Sequence, residues 1–175
     1  MGVVLDKKEI IYLRPFKTAN TTISNALIQG PDKGISLTPI GGMGNQTWKE
    51  VKDKVSLHQW NNYTIVASIR NPWDQMYDVW ASGLSHLSFY DFVMTEEAKK
   101  KTQGYFLFDK HKCQADKVIR FENLYEDAKN VLGITITKHL NPSPKVDYRD
   151  YYNRSTREYV EWLCNKEIKE FGYEY

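Results

Sequence analysis

The stretch Glu9 to Ile23, EIIYLRPFKTANTTI, constrains the fold more than any other part of the chain. Ile10 to Leu13 is apolar and too short for a helix, so it reads as a buried strand. Arg14, Pro15, Phe16 and Lys17 end that run with basic and turn-forming residues. Thr18, Asn20, Thr21 and Thr22 then lead into Ile23, Ala26 and Leu27, which recur at helical spacing. A strand, a hydroxyl-rich turn carrying a lysine, and a helix start together form an anion cradle. The first turn of a helix has unpaired N–H groups and the positive end of the dipole, and both favour phosphate. The stretch is not a Walker A loop, because no glycine precedes Lys17 at the required spacing. Taken alone it is equally well a surface turn that happens to hold a lysine.

A second stretch, SLHQWNNYTIVASIRNPWDQMYDVW, shifts that balance. Tyr63 to Ile69 is β-branched and apolar, as an interior parallel strand requires. It ends at Arg70; Asn71 is a good N-cap, Pro72 suits the first helical position, and Asp74 complements the helix dipole. Arg70 therefore stands where a strand hands over to a helix, at the end where open α/β sheets bind ligands. Its planar fork suits a phosphate, although pairing with a nearby carboxylate is the competing reading.

The remaining chain supports a single domain over residues 1–175. That length is enough to bury roughly 70% of the unfolded surface around one core. The 41% hydrophobic and 26% charged fractions are those of an ordinary globular protein. A net charge of +2 calls for neither a nucleic-acid partner nor an anionic membrane, but leaves room for a local anion site. Cys113 and Cys164 fit no metal spacing, and a buried free thiol at Cys164 implies a reducing, cytoplasmic setting. No apolar run approaches the length of a membrane span. Residues 29–47 read as a surface loop, including the GGMG cluster at 41–44, and 46–54 as a short polar helix. SFYDFVMTEEAKKK reads as one helix with a basic end, and Lys117 to Phe121 as a third strand. Asn123 with Glu126, and Ser155 with Glu158, read as capping boxes of two further helices closed by Gly133 and Gly172.

These pieces, in this order, resemble the sulfotransferases that use 3′-phosphoadenosine 5′-phosphosulfate (PAPS), in particular the carbohydrate-type branch. In that family a P-K-T-G-G-T-S-like loop follows the first strand and grips the 5′-phosphosulfate. Phe16, Lys17, Thr18, Ala19, Asn20, Thr21 and Thr22 form its counterpart here. The family's R-N-P-x-x-R-x-x-S motif binds the 3′-phosphate and resembles Arg70 to Asp78. TQGYFLFDK, VIRFENLYED, HLNPSPK and the tail from Tyr151 add likeness over most of the chain. The resemblance implies a three-layer α/β fold with a central parallel sheet, like that of P-loop NTPases. It also implies PAPS as donor, 3′,5′-ADP as product, and a hydroxyl acceptor that is a glycan or a small molecule; no metal is expected, since no His, Cys or carboxylate cluster has ligand spacing.

The departures from the pattern define the questions. Ala19 and Asn20 replace both loop glycines, Gln75 replaces an arginine, and Asp78 stands where a serine would meet the 3′-phosphate. Sulfuryl transfer needs an in-line acceptor, a base, and charge stabilisation on the leaving phosphate. Lys17 is the candidate for the last role. His58 resembles the family's catalytic histidine upstream of the R-N-P strand, with Glu50, Asp53, His86 and His111 as rivals. Lys145, Arg149 and Arg154 are candidates to reach a phosphate or an anionic acceptor, Lys145 being the one assigned to the donor site. Two other readings remain: a non-catalytic nucleotide- or glycan-binding relative, and a P-loop-type kinase, which would need Mg²⁺.

Overall fold

A computed structural model of the chain describes residues 2–37, 45–138, 140 and 146–175. The strands in chain order are β1 (Val3–Leu5), β2 (Ile10–Leu13), β3 (Ile35–Ser36), β4 (Thr64–Ile69), β5 (Phe108–Asp109), β6 (Lys112–Cys113) and β7 (Lys117–Arg120). The helices are α1 (Asn20–Gln29), α2 (Trp48–Lys52), α3 (Leu57–Asn62), α4 (Pro72–Val79) and α5 (Phe89–Val93). They continue with α6 (Glu96–Lys99), α7 (Gln103–Leu107), α8 (Leu124–Leu132), α9 (Arg154–Leu163) and α10 (Asn165–Phe171).

Five strands form the central sheet in the order β3-β1-β2-β4-β7, while β5 and β6 pair separately. The sheet is mixed rather than wholly parallel. β2, β4 and β7 run parallel, with Ile10 opposite Thr64 and Ile69 opposite Arg120. β1 is antiparallel to both β2 and β3. The reason is local: only Asp6 to Glu9 connect β1 to β2, far too short for a parallel crossover. Glu9 takes a left-handed conformation to close that turn.

Helices cover both faces. On one, Ile23 and Leu27 of α1 and Leu124, Ala128 and Leu132 of α8 pack on Leu5, Ile10, Tyr12, Val66 and Ile119. On the other, Trp48 and Val51 of α2, Phe106 and Leu107 of α7, and Phe171 of α10 pack on Ile11, Leu13, Ile65, Ala67 and Ile69. The central strands are buried on both faces, which is why they read as continuous apolar runs. A third cluster, from Trp73, Met76, Phe89, Phe92 and Val160, joins α4, α5 and α9.

Several local expectations are corrected. The single helix expected over SFYDFVMTEEAKKK is two, α5 and α6, because Ser88 and Thr95 each cap a new start. Asn123 precedes α8 but donates to the Asp127 side chain instead of capping. Asn153 caps α9 through Thr156, while Glu158 pairs with Arg154. The C-terminal helix breaks at Cys164 into α9 and α10, and Gly172 closes it in a left-handed conformation. The GGMG cluster lies outside the described residues. Among the described residues, no helix is long and apolar enough to cross a membrane.

Candidate functional site

Because β2 and β4 are parallel neighbours, their C-terminal ends lie side by side, and so do the loops that leave them. The loop after β2 runs from Arg14 to Ala19 and enters α1; the residue after β4 is Arg70, which enters α4. The two loops touch. Arg70 donates from a terminal guanidinium nitrogen to the Lys17 carbonyl at 3.3 Å.

The loop after β2 is tightly wound. Lys17 and Ala19 both have positive φ, 58° and 59°. Ala19 is thus a non-glycine residue doing a glycine's conformational work at the N-cap of α1, at a cost of about 1 kcal/mol. It offers no side-chain cap to the first-turn N–H groups of α1.

The side chains around it hold the loop's shape. Thr18 is buried and donates to the Pro15 carbonyl at 3.0 Å, with Ser68 Oγ 2.7 Å away. Ser68 Oγ in turn meets the Tyr12 hydroxyl at 2.7 Å. Asn20 donates to the Pro15 carbonyl at 2.7 Å and to Asn45 Oδ1 at 2.8 Å. Thr21 bonds only to the Asn20 side chain among the described residues, and Thr22 accepts from the Leu140 N–H at 2.9 Å. Phe16 presents its ring to Lys101 Nζ, 4.8 Å from the centroid. Three of the four polar side chains expected to grip phosphate are therefore engaged in building the loop. What remains is Lys17 and Thr21, both partly exposed, and the uncapped first turn of α1.

Arg70 is held from every side. Its side chain is 4% exposed. Nε donates to Asp74 Oδ2 at 2.6 Å and a terminal nitrogen to Asp78 Oδ2 at 2.8 Å. The guanidinium lies over the Phe121 ring, 4.0 Å from its centroid. Asp78 does not turn away from the motif. The same Oδ2 stands 3.8 Å from Lys17 Nζ, so one carboxylate oxygen joins the two cations. Ser82, four residues beyond Asp78, donates its hydroxyl to the Val79 carbonyl at 2.7 Å.

Two buried glutamines brace the junction between the loops. Gln103 accepts from the Arg70 N–H at 2.8 Å and donates to the Arg70 carbonyl, locking its backbone. Gln75, where the family has an arginine, donates to the carbonyls of Phe16 (2.7 Å) and Lys101 (3.0 Å), tying α4 to the loop. Glu122 accepts from the Asn71 N–H at 2.6 Å and from the Tyr173 hydroxyl, anchoring the start of α4 to the tail. Asn71 caps α4 as its position predicts. Asn45 and Ser68 were not singled out in the sequence, since an isolated Asn or Ser carries no spacing signal. Asp74 and Asp78 carry one: they follow Arg70 at four-residue steps and share one face of α4.

His58 is not brought to this cluster. It sits on α3, which leads into the opposite end of β4, and is exposed with Asn62 beside its ring. Arg149 pairs with Asp147, and Arg154 is 90% exposed and pairs with Glu158. Lys145 lies outside the described residues. Among the described residues no group of three His, Cys, Asp or Glu is arranged to hold a metal ion. No protein-family model, curated protein or solved structure matches this chain.

Proposed function

We propose that this chain is a PAPS-dependent sulfotransferase that moves a sulfuryl group to a hydroxyl acceptor, with a carbohydrate as the favoured acceptor class. The observation that carries the reading is the convergence of both phosphate-type motifs on one point. Lys17 Nζ and Arg70 reach the same carboxylate oxygen, beside the uncapped first turn of α1. In this reading the first-turn N–H groups and Lys17 hold the 5′-phosphosulfate, and Arg70 holds the 3′-phosphate. The acceptor hydroxyl oxygen bonds to sulfur and gives up its proton to solvent as the sulfur–oxygen bond to the 5′-phosphate breaks, and the leaving phosphate's charge falls on Lys17.

Asp78 gives specific weight to a second reading, a nucleotide-binding relative without turnover. Two cations and two carboxylates, Lys17, Arg70, Asp74 and Asp78, leave the cluster neutral, which suits a polyanionic donor poorly. One experiment separates the two. Sulfuryl transfer from PAPS to a panel of glycan and small-alcohol acceptors is measured without metal for the wild type and Lys17→Ala. The expected result is turnover that the variant loses while its melting temperature holds, since the Lys17 side chain is 30% exposed and its only described ion pair is long. Full activity in Lys17→Ala refutes the mechanism. Saturable 3′,5′-ADP binding without transfer to any acceptor favours the second reading.

A further inference from the structure

Arg14 is a buried cation that the assignments above leave unused. It is 8% exposed, Nε has no hydrogen-bond partner, and no ion pair reaches the guanidinium among the described residues. Burying a charge without a partner is costly, and such residues are normally paired. An arginine kept in that condition beside an anion cradle needs a reason.

Its position supplies one. Arg14 follows β2 directly, and the next residue, Pro15, restricts it to extended backbone. The strand's alternation therefore continues through it, and its side chain falls on the Tyr12 face. Tyr12 is close enough to feel its charge: burial lowers the arginine's pKa, and Tyr12 partly restores it. From Tyr12 the hydroxyl chain passes through Ser68 to Thr18, one residue before the N-cap of α1. Tyr12 packs with Ile23 and Leu27, so Arg14 falls on the sheet face that α1 covers, in the loop that leads to that helix's first turn.

Resting on the sulfotransferase reading, we propose that Arg14 is an anion-binding residue of the same loop, pairing with the 5′-terminal oxyanion of the bound nucleotide. The anion then meets a guanidinium that no carboxylate has neutralised. A planar fork suits a tetrahedral oxyanion's edge in a way that a lysine does not.

The test uses calorimetry and thermal melts of the full chain at one low ionic strength, comparing wild type with Arg14→Met. Arg14→Gln, which keeps a polar head, carries the same prediction if the methionine variant does not fold. The ligands are 3′,5′-ADP, adenosine 3′-monophosphate, which lacks the 5′ group, and pyrophosphate. The variant should bind 3′,5′-ADP about 10- to 100-fold more weakly, the loss of one charge-assisted contact. Its affinity for adenosine 3′-monophosphate should be unchanged, and without ligand it should melt at or above the wild-type temperature. Equal affinity for 3′,5′-ADP overturns the proposal, as does an equal weakening of adenosine 3′-monophosphate. If the wild type binds no nucleotide, the sulfotransferase reading falls, and pyrophosphate alone decides Arg14. Stabilisation of the wild type but not the variant then upholds the anion site; equal stabilisation of both, or of neither, overturns it.

Discussion

Replacing Asp78 with serine, the residue the sulfotransferase pattern carries there, should move stability and affinity in opposite directions. Asp78 is 9% exposed at its side chain and bonds Arg70 at 2.8 Å. Removing one member of a buried pair costs about 3–5 kcal/mol when the other is left alone. Arg70 is not left alone: Asp74 remains at 2.6 Å and the Lys17 carbonyl at 3.3 Å, so a loss of about 1–3 kcal/mol is expected. Affinity should rise. A carboxylate and a phosphate oxygen about 4 Å apart repel by up to about 4 kcal/mol at an effective dielectric near 20. After screening, a gain of roughly 1.4–3 kcal/mol remains, about 10- to 150-fold in Kd. Urea unfolding reads the first quantity and calorimetric titration of 3′,5′-ADP over a salt series reads the second. Asp78→Asn separates the two, because it removes the charge while keeping an acceptor for Arg70. Unchanged or weaker nucleotide binding in both variants would mean that Asp78 does not stand in the anion's place, and the convergence argument would fail with it.

Two further changes test the frame around the site. Ala19→Gly should stabilise the protein by about 0.5–1 kcal/mol, or roughly 2 °C in Tm, because φ of 59° strains alanine and glycine is also the better N-cap; a lower Tm would show that the left-handed loop is not the folded conformation. Glu167 is 1% exposed, accepts from the Gly104 N–H at 2.9 Å, and burial raises its pKa from 4.5. The folded state therefore prefers the proton: the contribution of Glu167 is intact below pH 4.5 and is lost as pH rises through the elevated folded value. Glu167→Gln keeps the acceptor without the charge, so its stability advantage should grow over that window and vanish below it; parallel pH profiles of stability would contradict this.

The two strand-to-helix junctions were legible because each is written in short-range signals. β2 and β4 are apolar runs bounded by turn residues, and Asn71–Pro72 marks the start of α4. β1 was missed because Val3–Leu5 is three residues long, below any periodicity, and only pairing with Ile10–Tyr12 makes it a strand. The break at Cys164 was hidden because Val160, Cys164 and Phe171 keep apolar spacing across it. At the site, Lys17 and Arg70 could be named, but their distance could not, since 53 residues separate them in the chain and only the parallel pairing of β2 with β4 brings them together. The same holds for Gln103, whose bonds to Arg70 close 33 residues of chain. His58 illustrates the converse: a residue close to β4 in sequence that the strand's length carries to the other end of the sheet.

The departures from the sulfotransferase pattern are compensated within one network. Gln75 replaces a cation, but its amide braces the loop from α4 through the Phe16 carbonyl. Ala19 gives up a glycine's freedom, yet the left-handed turn persists because the bonds of Thr18 and Asn20 to the Pro15 carbonyl hold it. Asp78 adds a negative charge where a neutral hydroxyl would serve, and in doing so it relieves the repulsion between Lys17 and Arg70 that their convergence creates. Each substitution favours a rigid, self-neutral loop over a strongly electropositive one. A polyanion binding there must displace a carboxylate, so its net affinity depends on cations that the carboxylates do not reach. Among the described residues of this loop Arg14 is that cation, which ties the stability of the fold and the strength of the site to the same few charges.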